Sequence, residues 1–133
     1  MPTLPCRHIG ISIDRPVEEV YAFLAEPLNF PKWAEGLGRD VSHVEGMTYR
    51  ALTPMGQMKV IFSEPNRYGI LDHAVIPASG APMHNPMRVI ANGDGSEVVF
   101  TLYKRPEMSE DAFARDGEWV AADLSRLKQL LEG

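Results

Sequence analysis

The stretch Arg7-His8-Ile9-Gly10-Ile11-Ser12-Ile13-Asp14-Arg15-Pro16-Val17-Glu18-Glu19-Val20-Tyr21-Ala22-Phe23-Leu24 changes period halfway along. Up to Asp14 it alternates, with Ile9, Ile11 and Ile13 on one side and His8, Gly10 and Ser12 on the other, as a half-buried strand does. Beyond Asp14, Pro16 and the acidic pair Glu18 and Glu19 mark a helix start. Proline is tolerated in the first turn, and carboxylates oppose the positive end of the helix dipole. Val17, Val20, Tyr21 and Leu24 recur at helical spacing, which predicts a helix from Pro16 that Pro27 stops. Leu28 to Trp33 then reads as a second short helix or turn ending before Gly36 and Gly38.

From about residue 39 to 105, short apolar runs lie between glycine and proline punctuation. Strands are predicted near 40–45, 48–53, 57–63, 68–76, 84–91 and 97–104, with no helices between them, which implies an antiparallel meander. After Met108 the period changes again. Ser109 is an N-cap candidate followed by Glu110 and Asp111. Val120, Leu124, Leu127 and Leu131 form the stripe of a helix buried on one side, which Phe113 and Trp119 extend toward its start; Gly117 is its weak point. The order is strand, two short helices, six strands and a long C-terminal helix. A curved antiparallel sheet with that helix across its concave face buries both apolar surfaces, and any space left between them is a pocket.

Turn geometry carries one face across the hairpins. With Met55-Gly56 as a two-residue loop, Pro54 opposes Gln57, and Tyr49, Ala51 and Thr53 share a face with Met58, Val60 and Phe62. A turn over Glu64 to Arg67 sets Val60 opposite Leu71 and Met58 opposite His73. An even count then pairs His73 with Met87 and Leu71 with Val89, and the next turn sets Val89 opposite Phe100 and Met87 opposite Leu102. A one-residue slip in any hairpin would invert every strand beyond it. Arg88 alternates outward; only such a slip would turn it to the cavity, where it would favour a carboxylate or phenolate ligand.

The composition narrows the function. A chain of 133 residues is one domain, 1–133, with room for one core. Thirteen basic against eighteen acidic residues leave a net charge of −5, which repels phosphate backbones, so nucleic acid is not the expected partner. No apolar run approaches the ~20 residues of a membrane span. The first residues lack a signal-peptide core, and Cys6 is alone, so the expectation is a cytoplasmic protein without disulfides. The histidines His8, His43, His73 and His84 show no ligand spacing, and no phosphate-binding loop or nucleophile elbow is present. No metal and no cofactor are expected.

Seven methionines and eleven aromatic residues are the compositional oddity. Methionine fills irregular space or lines adaptable binding surfaces. The inward face is apolar with Tyr49 and His73 as polar tips. His73 is the candidate acid or base, its ordinary pKa lying near 6.5, or a hydrogen-bonding group for a ligand; a buried histidine bonded to a backbone carbonyl explains it equally. Trp33 and Trp119 lie where the short helices and the long helix begin and would wall a pocket mouth. The expected lining is therefore Trp33, Tyr49, Met58, Phe62, Leu71, His73, Met87, Phe100 and Trp119, with Arg88 added should its strand slip by one residue.

The run Ile11 to Leu24, continued by Pro27-Leu28-Asn29-Phe30-Pro31-Lys32-Trp33, resembles the strand, helix and P-x-N-x-P-x-W opening of the START-related SRPBCC superfamily. Val120 to Lys128 is similar to that superfamily's closing helix. Leu71-Asp72-His73, Pro86 to Val89 and Gly95 to Leu102 look like an uncharacterised bacterial subgroup. The superfamily includes birch-pollen-allergen-like proteins, polyketide cyclase/dehydrase-like proteins and Hsp90-activator-like domains. The resemblance implies an α+β helix-grip fold, a seven-stranded antiparallel sheet wrapped around the C-terminal helix with a hydrophobic cavity between. It supplies no shared catalytic motif. The expected function is binding of an apolar small molecule in that cavity. Two alternatives stand beside it: cyclase or dehydratase chemistry with His73 as acid/base and Tyr49 or Arg88 polarising a carbonyl, and a protein-interaction module. Self-association as a homodimer is compatible with all three.

Overall fold

The computed structural model describes residues 2–35, 39–53 and 56–133, with Arg39 by its backbone alone. Strand β1 (Cys6–Ile13) passes into helix α1 (Val17–Ala25), a 3-10 turn (Pro27–Asn29) and helix α2 (Phe30–Trp33). Strands β2 (Arg39–Glu45), β3 (Thr48–Thr53), β4 (Gly56–Phe62), β5 (His73–Pro77), β6 (Met83–Asn85), β7 (Met87–Asn92) and β8 (Gly95–Tyr103) follow, and helix α3 (Glu110–Glu132) closes the chain.

The strands form two antiparallel sheets, β1-β8-β7 and β2-β3-β4-β5-β6, rather than one of seven strands. The difference comes from Pro86. The predicted strand 84–91 is continuous in register across it, since His73 pairs with Asn85 and Ile70 bridges Arg88. Pro86 has no N–H for the ladder, and its carbonyl is taken by the Thr101 N–H at 2.9 Å. The next N–H, of Met87, donates instead to the Asp72 carboxylate at 2.8 Å. One strand thus leaves the five-stranded sheet as β6 and enters the three-stranded one as β7.

The predicted registers are each displaced by an even number of residues. Tyr49 opposes Val60, Phe62 opposes His73, and Met87 opposes Phe100. An even displacement leaves every side chain on its predicted face. Gly56, expected in the two-residue loop, instead pairs with Thr53 as the first residue of β4, while Pro54 and Met55 lie outside the described residues. The short helix ends at Trp33, before Gly36 and Gly38. The predicted strand 68–76 starts late, at His73. Before it, Asn66 folds the chain by its side chain, Oδ1 accepting from the N–H groups of Tyr68 and Ile70 at 3.0 Å each and Nδ2 donating to the Ile70 carbonyl at 2.9 Å.

Helix α3 lies against β1, β8 and α2. Ser109 caps it, its Oγ accepting from the Ala112 N–H at 3.0 Å, and Phe113, Gly117, Leu124 and Leu127 are buried along one stripe. Its far end is pinned to the β1–α1 corner. Arg15 Nε donates to the Leu131 carbonyl, the Asp14 N–H to Glu132, and Lys128 to the Ser12 carbonyl. The corner that changes period in the sequence is therefore also the corner that seats α3. Gly117 sits beneath the Arg7 guanidinium, which occupies the place a Cβ would take. That obstacle is the end of a flexible, exposed side chain. Gly117→Ala is expected to raise stability by about 0.5 kcal/mol through helix propensity. Chemical denaturation checks it, and a loss of about 2 kcal/mol would show instead that Arg7 cannot move aside.

Candidate functional site

The apolar face of α1 supplies Tyr21 and Leu24, and α2 supplies Phe30 and Trp33; these side chains cover the place where β4, β5 and β7 meet. Phe62 ends β4, His73 opens β5, and Met87 opens β7. Among these groups lies a crevice of about 20 Å3 that Ser63, Ile70 and Leu71 also line. That volume holds about one water molecule.

His73 is the buried titratable group of the site, 5% exposed. Its ring stands edge-on to Phe30 at 5.1 Å between centroids, with Phe100 at 6.0 Å and Phe62 at 6.1 Å. Nδ1 lies 3.3 Å from the Leu71 carbonyl, which can only accept, so Nδ1 carries the proton and donates. Burial lowers its pKa from the usual 6.5 to about 4, against the opposing pull of the Leu71 carbonyl and the Asp72 charge. The imidazole is neutral at pH 7, with Nε2 a bare acceptor.

Trp33 is held from the α3 side. Its carbonyl, at the end of α2, accepts from Arg126 Nη1 at 2.8 Å, and the same guanidinium pairs with Asp123 and Glu35. Asp123 also accepts from the Glu35 N–H, and partial burial raises its pKa against these partners. Tyr21 is fixed at its tip, Oη accepting from the Asn66 N–H at 2.8 Å. Ser63 Oγ donates to the Asp72 carbonyl at 2.7 Å.

Of the residues expected from the sequence, Trp33, Phe62, Leu71, His73 and Met87 meet at the crevice, and Phe100 packs against His73. The other four sit elsewhere. Met58 belongs to a separate cluster with Ala51, Val60 and Val75 under the five-stranded sheet. Tyr49 is half-buried between Phe62 and His43, at 5.6 and 5.1 Å, prolonging the aromatic row away from the crevice. Trp119 is 59% exposed on α3 with the Arg115 guanidinium over its ring, so it walls nothing. Arg88 keeps its outward alternation and pairs with Asp72 on the outer face; no slip brings it inside. Phe30 and Trp33, whose exposure as an apolar patch would favour a protein-interaction module, are buried.

Tyr21, Leu24, Ala25, Phe30, Ser63 and Ile70 are lining residues outside that expectation. The helical stripe Val17-Val20-Tyr21-Leu24 gives the inward face of Tyr21 and Leu24 but not the strands they cover. A wider hollow of about 490 Å3 lies on the other side of Tyr21, open to solvent between α1, the 66–69 segment and β7. It contains no buried titratable side chain. Among the described residues no group of His, Cys, Asp and Glu is placed to hold a metal ion, and no helix is long and apolar enough to cross a membrane.

No protein-family model matches the chain, and no curated protein matches it. Solved structures do. An uncharacterised protein from Bacillus thuringiensis is 13% identical with a TM-score of 0.77, covering 97% of this chain and 100% of its own. The Aha1 dimer from Colwellia psychrerythraea is 18% identical with a TM-score of 0.76, covering 97% of each chain. A protein from the dynemicin biosynthetic locus is 14% identical with a TM-score of 0.73; 98% of this chain matches 48% of that one. At these identities the likeness is one of fold.

Proposed function

We propose that this chain is a helix-grip domain of the START-related SRPBCC type that binds a small apolar molecule at the crevice between α1, α2 and the junction of the two sheets. One observation carries the reading: an aromatic-lined gap surrounds a single buried, neutral, polar side chain, which is how small-molecule sites are commonly lined. The gap is small, so a ligand makes room for itself. Met87 is the side chain suited to give way, being unbranched and sited at the chain's passage between sheets. This favours compact single-ring or fused-ring ligands over long lipids.

Binding is favoured over cyclase or dehydratase chemistry by what surrounds His73. A lowered pKa makes it a weak base at pH 7, and neither Tyr49 nor Arg88 stands beside it to polarise a carbonyl.

Met87→Ala is the direct test. Removing this side chain is expected to cost about 2–5 kcal/mol of stability and to leave an apolar cavity. Isothermal titration with indole should then give a Kd at least about tenfold lower than for the unsubstituted protein, which itself binds weakly. Absence of heat from both proteins at millimolar indole would overturn the reading.

A further inference from the structure

We infer that the crevice selects ligands bearing one neutral hydrogen-bond donor, an aromatic N–H or O–H, which His73 Nε2 receives. The inference rests on the proposed binding site and names the chemistry of its ligand. Its basis is the accounting of the crevice's polar atoms. Nδ1 is committed to the Leu71 carbonyl, and Nε2 has no hydrogen-bond partner among the described residues. Yet no sealed side-chain nitrogen or oxygen among those residues lacks a partner. Nε2 therefore reaches open space, and the crevice His73 lines is that space. Space for about one water lets Nε2 be satisfied in the free protein, so a ligand that displaces that water without offering a donor leaves a costly unpaired acceptor, and one that offers a donor does not.

Of the crevice's other polar side chains, Tyr21 Oη accepts from the Asn66 N–H and Ser63 Oγ donates to the Asp72 carbonyl, while the Trp33 indole N–H can only donate, so His73 Nε2 is the unengaged acceptor. No lysine or arginine lines it. An anionic ligand would lose its hydration with no cation to compensate and would meet the Nε2 lone pair, so carboxylates are disfavoured. The three phenyl rings around His73 match a flat ligand, which can meet them by edge or face.

Shape-matched probes separate donor recognition from apolar packing. Indole and benzofuran differ in N–H against ring oxygen, and phenol and toluene in O–H against methyl; benzoate supplies the anion. Titration of the unsubstituted protein is expected to give indole and phenol about tenfold tighter than their partners, with benzoate unbound. In His73→Leu the preference should vanish while benzofuran and toluene still bind; His73→Gln, which keeps an acceptor, should restore part of it. Should these variants fail to fold, 15N NMR of the unsubstituted protein's His73 serves: Nε2 is expected to be the unprotonated ring nitrogen, and its resonance to shift with indole but not with benzofuran. Equal binding of donor and non-donor partners would overturn this inference and leave the binding site standing. Failure of all five probes would overturn both.

Discussion

Gly69→Ala is expected to cost about 3 kcal/mol or more of folding stability, enough to unfold a marginal domain. Gly69 has φ +72°, in the left-handed region that an L side chain enters only at a penalty. A Cβ there would also overlap the Val89 carbonyl oxygen, with the Val89 carbonyl carbon at 3.3 Å behind it. The obstacle is backbone in a sheet and cannot swing away as Arg7 can beside Gly117. The same contact holds the molecule's two sheets together. The Val89 N–H donates to the Gly69 carbonyl at 3.0 Å, and the Leu71 N–H to the Met87 carbonyl at 2.9 Å. Forcing this seam apart would displace Ile70, Leu71 and Met87 from the crevice wall. Urea denaturation followed by circular dichroism measures the loss. A difference below about 1 kcal/mol would mean that the seam does not hold the sheets as described.

Acidification from pH 7 to pH 5 should cost about 2 kcal/mol of stability through His73 alone. Burial lowers its pKa to about 4, whereas the unfolded chain's histidine titrates near 6.5. Below pH 6.5 the unfolded state takes up a proton that the folded state refuses until about pH 4. Protons therefore favour unfolding in that window, by about 1.4 kcal/mol per pH unit. The stabilisation is complete above pH 6.5 and is lost as pH falls toward 4. The Asp72 charge, on the outer face, opposes the burial effect and is already part of that value. Burial raises the Asp123 pKa, which acts in the opposite sense on acidification, while Glu107 and Glu132, lowered by their hydrogen bonds, lose their contributions at more acidic pH. These groups are common to the parent and to His73→Gln, so the difference between the two stability profiles isolates His73. The variant should lack the parent's extra loss between pH 7 and pH 5. Parallel profiles would mean that His73 is protonated, or solvated, in the folded state.

The strand-to-helix corner at Asp14–Pro16 and the Ser109 cap were readable because each rests on local chemistry: a change of period, a proline, and a hydroxyl before carboxylates. The inward faces were readable for a different reason. Each register differs from the expected one by an even number of residues, so Met87, Val89 and Phe100 keep their faces while changing partners. Two features lay beyond such reading. Pro86 looks in sequence like a blemish within one strand, and only the positions of Asp72 and Thr101 make it the boundary between sheets. The crevice needs Phe30 and Tyr21 laid over His73 and Phe62, and that docking is tertiary. Hairpin register puts Met58 on the inward face and helix position puts Trp119 near the pocket mouth, but that face spans a second core cluster and the long helix turns Trp119 to solvent.

The binding site itself is best tested by methyl NMR of methionine-labelled protein titrated with indole. The Met87 methyl is expected to shift progressively and saturate. Met58 and Met83, which pack in the separate cluster under the five-stranded sheet, should hold still. A Met87 resonance unmoved at millimolar indole, or equal displacement of all three methyls, would contradict a ligand site at the junction of the two sheets.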